Sequence, residues 1–438
     1  MSRLSKDEVL ALDRQYNQHP WLPGEVSPLA VAKGEGIYFY DYDGNRYADM
    51  SCQLSCSNLG FSADPIKDAV RDQLEDFAYV APAHAFEAKS RLAEKLVHLA
   101  GGRFAKVFFT CGGSDANEAA LNMARTVTGR SKILSRYRSY HGSTLGSGNI
   151  SGDPRRWSLE TPAANGFLKF YDPYVYRRGG TAADSLVQLE EQIQYEGPAE
   201  IAAVFVESVT GANGVILPPD GYLQGLRSLT EKYGILLVCD EVMAGFGRTG
   251  KAFGFQHWGI GPDIISFAKG VTCGYVPLGG VIISQPIADF YRDKVFQFGL
   301  TYSGHALACA AGAATLQYYE DHQIFERVTA LGQVLGELLE EQKIKHPCVG
   351  DVRYLGLFSA VELVKNRRTR EPLVPYGRDP DGVMKRIFGL LRQRGFSAYG
   401  RENNINITPP LIITESELRA AFPALDDVLG IIDREVEG

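Results

Sequence analysis

Short, continuous apolar runs alternate with longer amphipathic stretches along most of the 438-residue chain. Such runs are typical of strands buried on both faces of a parallel sheet, and they include VFFT (107–110), IAAVFVESV (201–209), ILLVC (235–239), IISFA (264–268) and GGVIIS (279–284). Apolar residues at helical spacing predict helices between them, at 64–77, 86–100, 113–130 and 184–195. The pattern therefore predicts an α/β fold with a mostly parallel central sheet and helices on both faces.

The two ends of the chain follow different patterns. The first 33 residues predict an amphipathic helix and then an extended segment at 19–23, and the alternating residues of 34–49 predict a β-hairpin that turns at Asp43-Gly44. Residues 49–61 and 151–183 are predicted to be loops. Beyond 321 the pattern predicts a charged helix (323–342), strands around 351–364, 394–400 and 405–409, and a last helix opened by a capping box at 414–417.

These changes of pattern predict three parts: an N-terminal arm and hairpin (1–60) that packs with the small domain, a large domain (61–321) and a small α/β domain (322–438). The net charge of the chain argues against several classes of binding partner. The 45 Lys and Arg against 52 Asp and Glu leave a net charge of −7, so nucleic acid and anionic membranes are not expected partners.

Targeting and metal signals are not evident in the sequence. No apolar run is long enough for a membrane span, and the charged N-terminus lacks the apolar core of a signal peptide. The seven cysteines are scattered without the paired spacings of zinc sites, so no metal site is expected. This usage favours a reducing cytoplasm.

Two buried strands each deliver a chemically useful residue at their C-terminal ends. Asp240 follows ILLVC, and Lys269 follows IISFA beside Gly270. Ligands of open α/β sheets bind at this edge. Pyridoxal phosphate suits the pair, because its aldehyde forms a Schiff base with a lysine amine and its ring nitrogen needs an acidic partner. The alternative is that Asp240 begins a capped turn and Lys269 is a surface lysine.

Five segments together extend this argument to a family: FFTCGGSDANEAALNMAR (108–125), YHGST (140–144), DEVMAGFGRTG (240–250), SFAKG (266–270) and TYSGHALACAAGAATL (301–316). In order and spacing they resemble the class III, fold type I pyridoxal-phosphate aminotransferases, and the likeness runs from the hairpin at 34–49 to ITPPL (407–411). The resemblance implies the ω-amino acid and amine–pyruvate branch. It also implies that Lys269 carries the cofactor and that Asp240 contacts its ring nitrogen.

Residues at the start of the helix predicted at 113–130, and after the strand that follows it, suggest where the cofactor phosphate and ring would lie. Gly113 and Ser114 begin that helix, where small residues and the macrodipole favour an anion; a plain Ser114 N-cap is the alternative. Tyr140 and His141 follow the strand after this helix, at the same C-terminal edge of the predicted sheet. Tyr140 is expected to stack on the pyridine ring, the alternative being a core tyrosine.

The resemblance implies roles for further residues. Glu207 would hold a cation or a hydrogen-bond network, and Met243 stands where many relatives have a glutamine that contacts the cofactor's phenolic oxygen, a bond that Met cannot donate. Thr301 would reach the phosphate of the neighbouring subunit's cofactor. This implies a homodimer or a dimer of dimers with shared active sites.

Substrate residues are less specific in the sequence. Ser55 stands where amine–pyruvate relatives often carry a bulky aromatic. The family often uses an arginine before the ITPPL strand to bind a substrate carboxylate; Arg401 is the nearest candidate, and Tyr399 lies nearer the family's position. Arg155, in the 151–183 segment with Arg156 and Trp157, could gate the channel or lie on the surface.

The predicted function is transamination in two half-reactions, from an ω-amino acid or primary amine to an oxo acid, pyruvate by resemblance. An aminomutase or a decarboxylating enzyme could use the same scaffold. GFGRTGK (245–251) nearly matches a phosphate-binding loop and raises nucleotide hydrolysis as a rival, but Ala252 replaces the required Ser or Thr. A noncatalytic interaction protein is disfavoured by the presence of both Asp240 and Lys269.

Overall fold

The computed structural model describes residues 4–21, 28–159 and 165–436. Leu22 and Pro23 of the predicted extended segment lie outside these ranges. The strands are β1 (Val31–Glu35), β2 (Tyr38–Asp41), β3 (Arg46–Asp49), β4 (Phe104–Thr110), β5 (Lys132–Arg136), β6 (Phe167–Phe170), β7 (Ile201–Glu207), β8 (Leu236–Asp240), β9 (Ile264–Phe267), β10 (Gly279–Ser284), β11 (Val349–Leu355), β12 (Phe358–Asn366), β13 (Glu371–Pro372), β14 (Phe396–Ser397) and β15 (Asn404–Ile407).

The helices at 64–76, 87–100, 113–128, 182–196 and 324–345 match the predicted ones to within a few residues, whereas those at 222–232 and 383–393 were not predicted. The described helices are α1 (Lys6–Tyr16), α2 (Cys52–Ser55), α3 (Asp64–Asp76), α4 (Glu87–Ala100), α5 (Gly113–Thr128), α6 (Leu145–Ile150), α7 (Val175–Arg178), α8 (Ala182–Glu196), α9 (Tyr222–Lys232), α10 (Gln285–Phe290), α11 (Ala306–Asp321), α12 (Ile324–Lys345), α13 (Val383–Gln393) and α14 (Glu415–Ile432). The capping box before α14 forms between Thr414 and Glu417, as predicted.

The central sheet has the strand order β4-β10-β9-β8-β7-β5-β6 within the described residues. Strand β10 runs antiparallel to both neighbours, and the pairs from β9 to β6 are parallel. The prediction of a mostly parallel sheet is therefore confirmed. Every residue of β7 is buried, which explains its continuous apolar run.

Helices cover both faces of this sheet. Ala203 and Phe205 of β7 pack in one cluster with Ala116 and Ala120 of α5, whereas the alternate residues of β7 pack in a second cluster with α4 and α9. Because side chains alternate across a strand, a single strand supplies both cores. The prediction of helices on both faces is also confirmed.

The C-terminal part forms a second sheet in which β12 pairs with β11, β13 and β15, all antiparallel. The N-terminal hairpin joins this part through β3, whose Ala48 and Asp49 pair in parallel with Phe396 and Ser397 of β14. This pairing supports the predicted packing of the hairpin with the C-terminal part. The domain boundaries at 60 and 321 stay predictions.

The segment predicted as a loop at 49–61 contains a left-handed turn. All four residues of α2 have positive φ, from 45° at Gln53 to 63° at Leu54. The carboxylate of Asp49 holds this turn by accepting from the Ser51 hydroxyl (2.7 Å) and the Gln53 amide (3.3 Å). L-residues avoid this conformation at a cost of about 1–2 kcal/mol each, so no local pattern predicts it.

Two further predictions need correction. The segment 151–183 is not loop throughout, because β6 extends the central sheet by pairing in parallel with β5, and α7 follows it; residues 160–164 lie outside the described ranges. The strand predicted at 394–400 is limited to Phe396–Ser397, and Tyr399 joins the sheet only through a bridge to Asn406.

The near match to a phosphate-binding loop has a different structure. GFGRTGK opens no α-helix, and the segment after it forms a 3₁₀ turn at Gly254–Trp258. Arg248 is buried and donates to the carbonyl oxygens of Leu357 (3.1 Å) and Pro409 (2.5 Å), so this motif joins the large and C-terminal parts. Among the described helices, none is both long and apolar enough to cross a membrane.

Candidate active site

The ends of three neighbouring parallel strands meet at one side of the central sheet. Glu207 ends β7, Asp240 ends β8 directly opposite it, and Lys269 follows β9 after Ala268. A cavity of about 770 Å³ opens at this edge. Its wall includes most of the sequence-predicted residues, namely Gly113, Ser114, Tyr140, His141, Glu207, Asp240, Met243, Lys269, Tyr399 and Arg401.

Asp240 is buried and held by three donors. Its Oδ2 accepts from the His141 Nδ1 (2.7 Å) and from the Asn117 side-chain amide (2.8 Å), and its Oδ1 accepts from the Val242 amide (3.0 Å). The hydroxyl of Ser266 donates to the Asn117 side-chain oxygen (2.7 Å), which fixes the orientation of that amide. The carboxylate therefore has one defined position at the cavity wall.

Lys269 has an unusual backbone and a perturbed amine. Its φ of +49° lies in the left-handed region, a strain that concentrates at functional sites. Burial lowers the pKa of the Lys269 amine below 10.5 because it disfavours the charged ammonium, although Cys56, Asp240 and Glu207 oppose that shift. A larger neutral fraction makes this amine a better nucleophile and base than an exposed lysine.

The start of α5 forms an anion cradle at the cavity. Its N-cap is Gly112, and no side chain caps its first turn, so backbone N–H groups at Gly113 and Ser114 are left for another acceptor. The Ser114 hydroxyl accepts from the Ser143 amide (3.2 Å). A Cβ at Gly142 would lie 2.4 Å from the Ser114 Oγ, so only glycine allows this close approach.

Tyr140 stands between Glu207 and Arg155. Its amide donates to the Glu207 Oε1 (3.1 Å), and the Arg155 guanidinium lies 3.4 Å from the centre of its ring. Arg155 in turn donates from Nε to both oxygens of the buried Asp153 (3.0 Å each). One face of the tyrosine ring is thus covered, and a stacked ligand would need the opposite face.

Glu207 supports the wall through backbone groups. Besides the Tyr140 amide it accepts from the Gly211 amide (2.7 Å), and burial raises the pKa of its carboxyl group. Met243 packs on the same loop, since a Cβ at Gly211 would lie 2.7 Å from its sulfur. The hydrogen-bond network predicted for Glu207 is therefore one that positions Tyr140 and the loop after β7.

Two predicted residues do not line the cavity. Ser55 is buried behind it, where its hydroxyl donates to the Thr408 hydroxyl (3.3 Å) and lies 3.5 Å from the Tyr399 hydroxyl; its neighbour Leu54 lines the cavity instead. Thr301 is exposed, and its carbonyl accepts from the Tyr79 hydroxyl (2.9 Å). Within one chain Thr301 is separate from the site.

The sequence did not identify Asn117 or Trp21 as site residues, although both line the cavity. A buried asparagine one turn into an alanine-rich helix is a usable signal for the first, whereas no local pattern marks the second. Arg155 lines the cavity, while Trp157 does not and is largely exposed.

Arg401 is half-buried in the cavity wall. Burial lowers the pKa of its guanidinium, and the like charge of Arg155 lowers it further. Within the described residues its guanidinium takes part in no hydrogen bond or ion pair, in contrast to Arg155, which is paired with Asp153. A cation of this kind is available to an anionic ligand.

The residues present fit pyridoxal phosphate. The uncapped α5 N-terminus suits a phosphate, Tyr140 presents an aromatic face, and Asp240 presents an oriented carboxylate. Lys269 adds an amine of lowered pKa. Together these groups match the phosphate, ring, ring nitrogen and aldehyde of that cofactor.

Comparison with known proteins agrees with this geometry. A family model described as aminotransferase class-III matches residues 23–429. A solved taurine:2-oxoglutarate aminotransferase from Bifidobacterium kashiwanohense, in complex with PLP and glutamate, is 51% identical, with all of both chains covered and a TM-score of 0.98. An (S)-enantioselective omega-transaminase from Thermomicrobium roseum is 35% identical, with 99% of this chain and 100% of that chain covered and a TM-score of 0.92.

A taurine–pyruvate aminotransferase of Bilophila wadsworthia is 35% identical, and the alignment covers 98% of each chain. These matches extend over nearly the whole chain. The protein therefore belongs to the class III aminotransferases, pyridoxal-phosphate-dependent enzymes of fold type I that transfer an amino group from an amine to an oxo acid.

Proposed function

We propose that this enzyme transfers the amino group of a small, acid-bearing amine, such as a short ω-amino acid or taurine, to an oxo acid, with 2-oxoglutarate used better than pyruvate. The observation that carries the proposal is the guanidinium of Arg401, which has no ion-pair partner among the described residues and lies in the same cavity as Asp240 and Lys269. Guanidinium groups bind carboxylate and sulfonate oxygens through paired N–H donors.

Lys269 and Asp240 would have different roles in the reaction. Pyridoxal phosphate, when bound, supplies a ring that accepts the electrons left when the substrate's amine-bearing carbon loses its proton. The neutral amine of Lys269 takes that proton and holds it for return at the acceptor carbon. Asp240, oriented by His141 and Asn117, is placed to hold a protonated ring nitrogen.

The remaining residues bind and orient. The first turn of α5 would hold the phosphate, and Tyr140 would cover the ring on the face away from Arg155. The relatives support the choice of substrates, since taurine is named for two of them and 2-oxoglutarate and pyruvate for one each. Arg155 is paired with Asp153, whereas Arg401 has no ion-pair partner among the described residues, so Arg401 is the cation that would bind the second carboxylate of a dianionic acceptor.

Steady-state assays of amino transfer test this proposal. We expect wild-type enzyme to form an oxo or aldehyde product from taurine or a short ω-amino acid, with a higher kcat/KM for 2-oxoglutarate than for pyruvate. Arg401→Gln should raise the KM for 2-oxoglutarate about tenfold or more, because one charge-assisted contact of roughly 1.5–3 kcal/mol is lost.

Product analysis also separates the competing reactions. Release of CO₂, or retention of the nitrogen within the donor carbon skeleton, would indicate a decarboxylating enzyme or an aminomutase instead.

An unchanged KM in the Arg401→Gln variant would contradict the role of this arginine. Arg392→Gln, which alters an exposed arginine outside the cavity wall, is the matched control.

We further propose that the enzyme is a homodimer, or a dimer of dimers, in which Thr301 completes the partner's site. Thr301 and Tyr302 are exposed, and the Tyr79 hydroxyl and ring hold this segment in place at the surface. The α5 cradle has N–H donors without a capping side chain, so a hydroxyl from a second chain would add to it.

Subunit mixing tests the shared site. Lys269→Ala and Thr301→Ala lesions fall in different halves of the proposed site, so a mixed dimer contains one site with neither lesion. We expect activity at limiting cofactor to rise above the sum of the two separate variants after subunit exchange. Light scattering should give at least twice the chain mass of 48.1 kDa; an active monomer would contradict the proposal.

A further inference from the structure

A buried arginine outside the cavity joins two of its walls. Arg353 of β11 is 8% exposed. Its Nε donates to the carbonyl oxygen of Gly214 (2.8 Å), and its Nη2 donates to the side-chain oxygen of Asn404 (2.7 Å). One planar side chain therefore bridges the loop after β7 and the start of β15.

Asn404 closes the turn that carries Arg401. Its backbone amide donates to the Arg401 carbonyl (3.0 Å), and its side-chain amide donates to the same oxygen (3.3 Å). The turn is tight, because Glu402 has a φ of +52° and a Cβ at Gly400 would lie 1.8 Å from the Asn404 carbonyl oxygen. The position of Arg401 thus depends on where Asn404 is held.

The other end of the bridge lies on the loop that begins at Glu207. The Gly211 amide donates to the Glu207 carboxylate, and the Gly211 carbonyl accepts from the Asn406 side-chain amide (3.3 Å). A Cβ at Gly214 would lie 2.5 Å from the Asn404 side-chain oxygen. The Glu207–Gly214 loop and the Arg401 turn are therefore packed together directly beside the Arg353 guanidinium.

The charge of Arg353 is balanced where it is buried. Its Nη1 donates to Asp351 (2.8 Å) and to Glu362 (2.6 Å), and Glu362 also accepts from the Tyr174 hydroxyl and from Arg177. An ammonium group cannot reproduce this fork, because lysine has one nitrogen where arginine has three at fixed positions. Arg353→Lys would keep the charge and lose the bridge.

We propose that Arg353 is a positioning residue for substrate recognition: through Asn404 it holds the Arg401 turn against the Glu207–Gly214 loop, and so it sets the affinity for the acidic substrate. The proposal rests on the proposed role of Arg401. It assigns Arg353 no contact with the reacting atoms. Loss of the bridge should then weaken binding of the oxo acid more than it slows turnover.

The test compares Arg353→Lys and Asn404→Ala with wild type in KM and kcat for 2-oxoglutarate, and in Tm. We expect the KM to rise about tenfold in each variant, because a displaced Arg401 loses its charge-assisted contact with the oxo acid, while kcat at saturation stays within about twofold. Asn404→Ala breaks the bridge from its other end and leaves Arg353 paired with its two carboxylates. Arg227→Lys, a partly buried arginine paired with Asp263 and not in the cavity wall, should change neither constant.

The outcomes separate this proposal from the proposed function. If Arg401→Gln raises the KM and neither Arg353→Lys nor Asn404→Ala does so, the positioning role is overturned while the role of Arg401 stands. If Arg401→Gln itself leaves the KM unchanged, the proposed function fails first. A fall in kcat and Tm with no selective change in KM in Asn404→Ala would show a merely structural role.

Discussion

Replacing Lys269 with alanine is expected to lower kcat for amino transfer by about 10⁴-fold or more, because in the proposed mechanism this one side chain supplies both the amine for the cofactor aldehyde and the proton carrier. The pKa of that amine is lowered by burial, so wild type holds a larger neutral fraction at neutral pH than an exposed lysine would. Product formation by chromatography gives kcat. Melting temperature shows whether the variant still folds.

A control and a rescue make this test specific. Lys251→Ala, an exposed lysine of the same stretch, should keep wild-type turnover. Because the truncated side chain leaves space at the cavity wall, added methylamine should restore part of the proton transfer in the Lys269→Ala variant. Turnover within tenfold of wild type would mean that another residue carries the chemistry.

Asp240→Asn should retain bound cofactor and yet turn over about 10²-fold or more slowly, since an amide cannot stabilise a protonated ring nitrogen as a carboxylate does. The local structure predicts a second effect. His141 and Asn117 both donate to the same oxygen of Asp240, so the amide must turn its NH₂ away from them. In Asp240→Asn, an NH₂ group therefore replaces one of the two acceptor oxygens, either on the side of the cavity or on the side of His141 and Asn117.

Two measurements distinguish loss of catalysis from loss of the cofactor. Pyridoxal phosphate released on denaturation and measured by chromatography should stay near one per chain in Asp240→Asn, while kcat falls. Asp220→Asn, at an exposed position, is the matched control and should match wild type in both. Near-normal turnover in Asp240→Asn would leave this carboxylate a structural role only.

Much of the fold follows from local sequence. The buried runs ending at Cys239 and Ala268 predict strands, and these strands form parallel to one another with Asp240 and Lys269 at their ends. The capping box at Thr414 and the hairpin turn at Asp43-Gly44 are equally local. Such features are visible because the residues that determine them lie within one or two turns of chain.

The resemblance to a family extends prediction from the fold to the residues of the site. The resemblance pointed to residues that the cavity brings together from six separate segments, including Tyr140 and Arg401. Their individual roles stay predictions, because a motif names a residue without stating its contacts. Ser55 illustrates the limit: the resemblance made it a candidate substrate residue, but it lies in the left-handed turn at 52–55, where Leu54 lines the cavity and Ser55 does not.

The sequence by itself determined the class of fold and the cofactor, and it predicted Asp240 and Lys269 as the reacting pair, since these depend on short runs and on residues in fixed local order. Only the tertiary structure decided which distant groups share the cavity. Asn117, His141 and Asp240 meet through three different elements, Arg155 covers Tyr140, and Arg353 reaches both Gly214 and Asn404. Contacts of this kind depend on how helices and loops from separate parts of the chain pack together, and no local periodicity encodes that packing.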